Sequence, residues 1–254
     1  KRKFTRLGST SHSILDVEMT SPDLLRVCSY NIHKGFNTTN LRFLLSELRH
    51  AIQSVDADLV FLQEVVGKLR GGLTLQASQF EYLADSVWPH FAYGKNVTYQ
   101  DGHYGNAILS KHRFVEFYNL NVSRWRFSQR GILVGRLIND TFLICVHFGL
   151  FAAERKHQVN ILLNTLDRDV PADAPVIIAG DFNDWTFSTD REIKRRGGMK
   201  EVHSDIHGGL ARTFPSPLPF LAMDRIYYRN LELVEVEVLS GFPWRRLSDH
   251  CALN

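Results

Sequence analysis

The stretch LLRVCSYNIH, Leu24 to His33, sets the fold class. Its apolar, β-branched middle reads as a buried strand, and Asn31 and His33 fall where that strand would leave its sheet. After KGFNTTN, the residues Leu41, Leu44, Leu45, Leu48 and Ile52 recur at helical spacing, with Asn40 placed to cap the helix. ADLVFLQEV, residues 57–65, then reads as a second buried strand with Glu64 at its end. Strand, helix, strand is the unit of a layered α/β fold.

The pattern continues outward. Phe80, Leu83, Ala84 and Val87 predict a helix over 78–88. GNAILS, GILVGRLI and TFLICVHF read as successive strands with short turns, which implies a partly antiparallel sheet. Val159, Leu162, Leu163 and Leu166 give one face of an amphipathic helix over 152–168. PVIIAGDF is the next strand, followed by a Pro-rich loop (TFPSPLPF), a strand MDRIYYRN, an alternating strand LELVEVEVL and the ending RRLSDHCAL. No linker, composition break or repeat divides the chain, so residues 24–254 read as one domain. Residues 1–23, rich in Ser, Thr, Lys and Arg without periodicity, read as a flexible arm.

A chain of 254 residues, 44% of them hydrophobic, can bury a sizeable core. No apolar run approaches the roughly 20 residues of a membrane span, and no signal peptide is expected, which leaves only peripheral membrane contact. A net charge of +3 permits a phosphate-bearing partner without requiring one. Cys28, Cys145 and Cys251 lie far apart in or beside apolar segments and read as buried small hydrophobes. An odd count without C-x-x-C spacing argues against disulfides and zinc, and the expected setting is the reducing cytoplasm, with the chain a monomer.

The polar residues at expected strand ends form a set. They are Asn31, His33, Glu64, His147 in CVHFG, Asp181 and Asn183 in GDFND, Asp224 in MDRIYY, and Asp249 with His250 in LSDH. Singly, each has an ordinary reading as a turn-former, a solvated acid or a satisfied core histidine. Together they do not, because burying several carboxylates and imidazoles is costly unless they pair or hold a metal. Carboxylate and amide oxygens without cysteine are a hard-ligand set suited to Mg²⁺ or Mn²⁺. Two histidines with carboxylate partners supply donors for phosphate oxygens or a leaving group. The set suits metal-assisted hydrolysis of a phosphate ester.

SYNIHKG, FLQEV, GNAILS, CVHFG, IIAGDFND, MDRIYY and LSDH occur in the order and approximate spacing of the endonuclease/exonuclease/phosphatase superfamily. The resemblance covers roughly residues 25 to 252 and is most marked toward an uncharacterised bacterial branch carrying NIHKGF and GDFNDW. It implies a four-layered α/β sandwich of the deoxyribonuclease I type, two packed mixed β-sheets flanked by helices. It also implies Mg²⁺ or Mn²⁺ at Glu64, with Asn31 helping to hold the metal's water shell and Asp249 in its outer shell or at a second metal position. Asp181 resembles the residue that aligns or deprotonates the attacking water, and Asn183 the one bonding the phosphate beside it. His250 resembles the residue that contacts the scissile phosphate, Asp224 the carboxylate orienting it, and His147 the histidine assisting the leaving oxygen. His33 departs from the pattern, since several branches carry an acid or a small polar residue there.

The substrate is less legible. Arg124, Trp125, Arg126 and Arg130 in SRWRFSQR suit a nucleic acid, whereas TFPSPLPFLAM or Trp244 in GFPWRR suits a phospholipid. Asn106 in GNAILS, Arg130, His33 and Trp185 are counted as substrate-binding candidates, Trp185 either packing beside the site or stacking on substrate. Asp184 reads as a turn residue or helix cap. A catalytically idle binding or scaffold protein on the same fold is the alternative.

Overall fold

The computed structural model describes residues 24–254 except 38, 40, 41, 70–77, 86 and 101. The expected arm, residues 1–23, and the expected cap Asn40 lie outside the described residues.

β1 (Val27–Asn31), a 3-10 turn (His33–Gly35), α1 (Leu45–Ser54) and β2 (Leu59–Leu69) open the chain. α2 (Gln79–Ala84), β3 (His90–Tyr99) and β4 (Gly102–Ser110) complete this half. β5 (Phe114–Asn121), β6 (Gly131–Leu137), β7 (Phe142–His147), α3 (Ala152–Asp169) and β8 (Val176–Asp181) form the next run. α4 (Ser188–Gly197), β9 (Lys200–Glu201), α5 (Val202–His207) and β10 (Asp224–Arg229) follow, then β11 (Val238–Leu239), α6 (Trp244–Leu247) and β12 (Ala252–Leu253).

The strands make two six-stranded mixed sheets, ordered β11-β12-β1-β2-β4-β3 and β5-β6-β7-β8-β10-β9. Each has one parallel pair at its centre, β1 with β2 and β7 with β8, spanned by a crossover helix, and antiparallel pairs on both sides.

The sheets pack face to face with helices outside, and the side-chain period of two explains why the central strands are apolar throughout. Leu59 and Phe61 of β2 meet Ile177 and Ala179 of β8 between the sheets. Val60 and Leu62 point the other way, onto Leu48 and Ile52 of α1. Val176 and Ile178 likewise face Leu162 and Leu163 of α3. All three cysteines are buried and free of disulfide bonds.

Some elements differ from expectation. The first helix begins at Leu45, its N-cap is Leu44 with no side-chain cap bond, and Phe43 bridges Phe36 instead. The second helix stops at Ala84, started by a capping box between Ser78 and Glu81. Only Val238–Leu239 of the expected strand LELVEVEVL joins a sheet. Strands β3 and β5 and helix α4 were not anticipated by periodicity.

Candidate active site

The parallel strands deliver their polar ends to one place. β7 and β8 pair in a register that sets His147 beside Asp181, and β10 sets Asp224 on the other side of Asp181. Three candidate residues therefore lie in a row across adjacent strands. In the facing sheet β1 sets Asn31 beside Gln63. The next residue, Glu64, sits in a bulge of β2 at φ 57°, which turns its carboxylate out of the ladder. His33, Lys34 and Asn183 also have left-handed φ, so unusual backbone gathers at the site.

At the site a hydrogen bond joins the halves: Asn31 Nδ2 donates to Asp181 Oδ2 at 3.2 Å. Asn31 Oδ1 accepts from the His33 N–H, which fixes the amide. Asp181 also accepts from the Asn183 N–H at 2.9 Å and from Asn183 Nδ2 at 3.2 Å. The second Nδ2 hydrogen of Asn183 goes to the Phe148 carbonyl. The amide of Asn183 is thus committed to shaping the site, and reaches a phosphate only by releasing one of these bonds.

His250 Nδ1 lies 2.8 Å from Asp224 Oδ2, and its Nε2 faces Asp181 Oδ2 at 3.9 Å. Ser248 aligns it, receiving the His250 N–H and donating its own hydroxyl to the Asn31 carbonyl. Thr213 does the same for Asp224, its Oγ1 accepting the Asp224 N–H. His147 Nε2 is 3.5 Å from Asp181 Oδ2.

Electrostatics separates these groups. Burial lowers the pKa of His250, but Asp224 and Asp181 outweigh it and push it up to about 10. Burial and then the charge of Arg130 drive His147 down to about 3, so its imidazole is neutral at pH 7. Burial pushes Asp181 up to about 7, partly offset by His250. Burial also raises Glu64, but His147 and Lys34 more than offset it and bring the carboxyl to about 2. With His147 neutral, the ammonium of Lys34, 3.0 Å from Glu64 Oε2, is the countercharge present at pH 7.

This bears on where a metal fits. Asp181, Asp224 and His250 have ligand atoms within 4.8 Å of one another. Yet His250 bonds Asp224 through one nitrogen and is held protonated, so its ring offers no free lone pair to an ion. Glu64 is ionised, and the position beside it already accommodates a cation, the Lys34 ammonium. The donor set at Glu64 therefore fits a hard divalent ion.

The remaining candidates are placed as follows. Asp249 lies 3.4 Å from His33 Nδ1, so the unusual histidine pairs with an expected outer-shell acid. Arg130 Nε donates to the Phe148 carbonyl that also holds Asn183. Asn106 is wholly buried, donating to the carbonyls of Gly131 and Cys145, so it braces strand ends and is shut off from solvent. Trp185 is 45% exposed with the Arg155 guanidinium 4.7 Å from its ring centre. Lys34, Thr213 and Ser248 were missed. A lysine in a polar loop reads as solvated surface, and the two hydroxyls act on backbone groups that sequence does not reveal.

The model of the Endonuclease/Exonuclease/phosphatase family matches residues 28–250. The chain belongs to this family. The uncharacterised protein YbhP of Escherichia coli K12 is 39% identical over 247 residues, covering 93% of this chain and 97% of YbhP. Among solved structures, an endonuclease/exonuclease/phosphatase from Beutenbergia cavernae superposes with a TM-score of 0.73 at 18% identity, over 90% of this chain and 70% of that one. TDP2 of D. rerio, complexed with a single-strand DNA product, superposes at 0.65 with 21% identity, over 90% of this chain and 96% of that one. Such family likenesses extend across nearly the whole described domain. Among the described residues, no helix is long and apolar enough to cross a membrane.

Proposed function

We propose that the protein is a metal-dependent phosphodiesterase that hydrolyses its substrate by in-line attack of water. The observation that carries this reading is the pairing of a carboxylate poised near neutrality, Asp181, with an imidazolium, His250, held charged by Asp224. Two titratable groups whose surroundings push them into opposite roles are the mark of acid–base work.

Asp181, ionised and oriented by Asn31 and Asn183, takes the proton of the attacking water. His250 faces the same point and donates to the phosphate oxygens as charge develops, with Asp224 keeping its Nδ1 side fixed. Neutral His147 offers an N–H toward the leaving oxygen and carries no charge of its own. A divalent ion at Glu64, Mg²⁺ or Mn²⁺, when bound, neutralises phosphate charge and assists departure of the leaving group. Asn31 and Asp249 would help hold that ion's water shell. Three buried thiols free of disulfide bonds fit a cytoplasmic setting.

The test is hydrolysis of bis-p-nitrophenyl phosphate with and without added Mn²⁺ or Mg²⁺. Asp181→Asn and His250→Ala are each expected to lower the rate by about 10²–10⁴ while the circular dichroism stays native. Wild-type turnover by His250→Ala would refute the assignment. Absence of turnover in the wild-type protein on any diester, with metal bound, would favour the scaffold reading.

A further inference from the structure

We propose that the β5–β6 loop and the segment after β7 form a stacking platform for the unpaired bases of a single-stranded nucleic acid beside the scissile phosphate. This rests on the phosphodiesterase reading and supplies its substrate class.

Rings from two separate segments come together here. Trp125 and Phe127 are stacked, with centroids 5.5 Å apart and planes 11° apart. Phe151 stands edge-on to both, at 5.4 and 6.4 Å, and holds the pair upright. The arrangement is not core packing, because Phe127 is 77% and Phe151 54% exposed. Single exposed apolar side chains are ordinary, whereas an interlocked group with an open ring face is a surface made to be covered.

The platform is fastened to the chemistry. Arg130, at the end of the loop, donates to the Phe148 carbonyl, which also receives the Asn183 amide. Phe151 lies four residues beyond His147, at most about 14 Å along the chain. That is about four stacked bases at 3.4 Å each. Trp185, two residues beyond Asn183, stacks on Arg155, whose Nη1 donates to the carbonyl of Leu150, the neighbour of Phe151.

Charge selects the occupant. Arg124 and Arg126 alternate with the two rings and are exposed, with Arg124 lying over Trp125 at 5.7 Å, and no acid occurs from Val122 to Gly131. Flat π-faces interleaved with guanidinium groups match a strand that offers alternating bases and phosphates. Paired bases would keep their faces stacked on one another, so the platform favours an unpaired stretch.

Binding is measured in EDTA, where hydrolysis is silent, with three probes: a short oligothymidylate, an abasic oligomer of the same length, and phosphatidylserine/phosphatidylcholine vesicles. The wild type is expected to bind oligothymidylate about tenfold or more tighter than the abasic oligomer, the scale of one base–aromatic stack. The oligothymidylate should also quench tryptophan fluorescence. Phe127→Ala should remove most of that advantage and Phe127→Trp should keep it, and at 77% exposure neither change threatens the fold. Arg124→Gln with Arg126→Gln should weaken both oligomers alike and reduce the salt dependence. Equal binding of the two oligomers by the wild type overturns the proposal. So does loss of vesicle binding in Phe127→Ala with oligothymidylate binding unchanged, which would make the loop a membrane element. Wild-type hydrolysis of bis-p-nitrophenyl phosphate, assayed separately with Mn²⁺, decides the phosphodiesterase reading independently of these binding results.

Discussion

The two acids of GDFND show how environment divides one side-chain type between two tasks. Asp181 is lifted to about 7, so hydrolysis should rise as pH passes through that value, and should fall again near 10 as His250 gives up its proton. The check is a pH profile of kcat/KM, whose rising limb disappears in Asp181→Asn. Asp184 is driven the other way. Burial raises its pKa, but the N–H and hydroxyl of Thr189, the hydroxyl of Thr186 and the charge of Arg225 hold it well below the usual carboxylate range. A folded-state pKa below the unfolded one stabilises the fold at all pH values above the unfolded pKa, about 4, and that contribution fades as pH falls below it. Asp184→Asn leaves Arg225 buried without its countercharge, an expected cost of about 3–5 kcal/mol in urea unfolding at pH 7. Lys34 competes with any ion for Glu64. Lys34→Met should therefore bind Mn²⁺ several-fold more tightly in calorimetry without substrate, and unchanged affinity would mean that the ammonium moves aside without cost.

At the scale of elements, the candidate site was legible because its residues break apolar strands. Asn31, His147 and Asp181 end β1, β7 and β8, and Asp224 begins β10. Glu64, expected at the end of the second strand, stands instead at a bulge within β2, which runs on to Leu69. Asn31, Glu64, His147, Asp181 and Asp224 interrupt runs that would otherwise be buried, and the structure brings all five to one edge. What sequence could not show was pairing. LELVEVEVL alternates in two short stretches, Leu231 with Leu233 and Val236 with Val238, whose side chains pack against the central core, yet most of the segment runs beside the sheet without joining it. Its period of two records burial and not a ladder. β3 and β5 lie at sheet edges, where partly exposed faces dilute the apolar signal. In α4 the only large buried apolar side chain is Ile193, so no stripe announces the helix. The delivery of Asp181 also depends on Gly180, at φ 146°, where a Cβ would stand 2.0 Å from the Val146 carbonyl oxygen. Gly180→Ala should spread β7 from β8 and lower the melting temperature steeply. Gly198→Ala, a left-handed position with open space around it, should cost only about 1 kcal/mol.

At the scale of the whole molecule, the proposed catalysis requires two sheets to hold their positions, since the Asn31–Asp181 bond crosses between them. An ion held by the folded state stabilises it, so Mn²⁺ at a hundred times its dissociation constant should add about 2.7 kcal/mol to wild-type stability. Glu64→Gln should lose most of that gain in a thermal melt, and an equal gain in both proteins would place the ion elsewhere. Each sheet has the same plan, two antiparallel strands, a parallel pair bridged by a helix, then two more antiparallel strands. The correspondence is ordered residue by residue at the strand ends. Asn31 beside Gln63 in one sheet answers to His147 beside Asp181 in the other. The chain thus lays down one design twice, as a duplicated ancestor would, although no repeat survives in its sequence. The two halves now differ in what they carry: the first brings Asn31, Glu64 and, just before β12, His250, the second brings His147, Asp181 and Asp224, so the proposed acid and base come from opposite sheets.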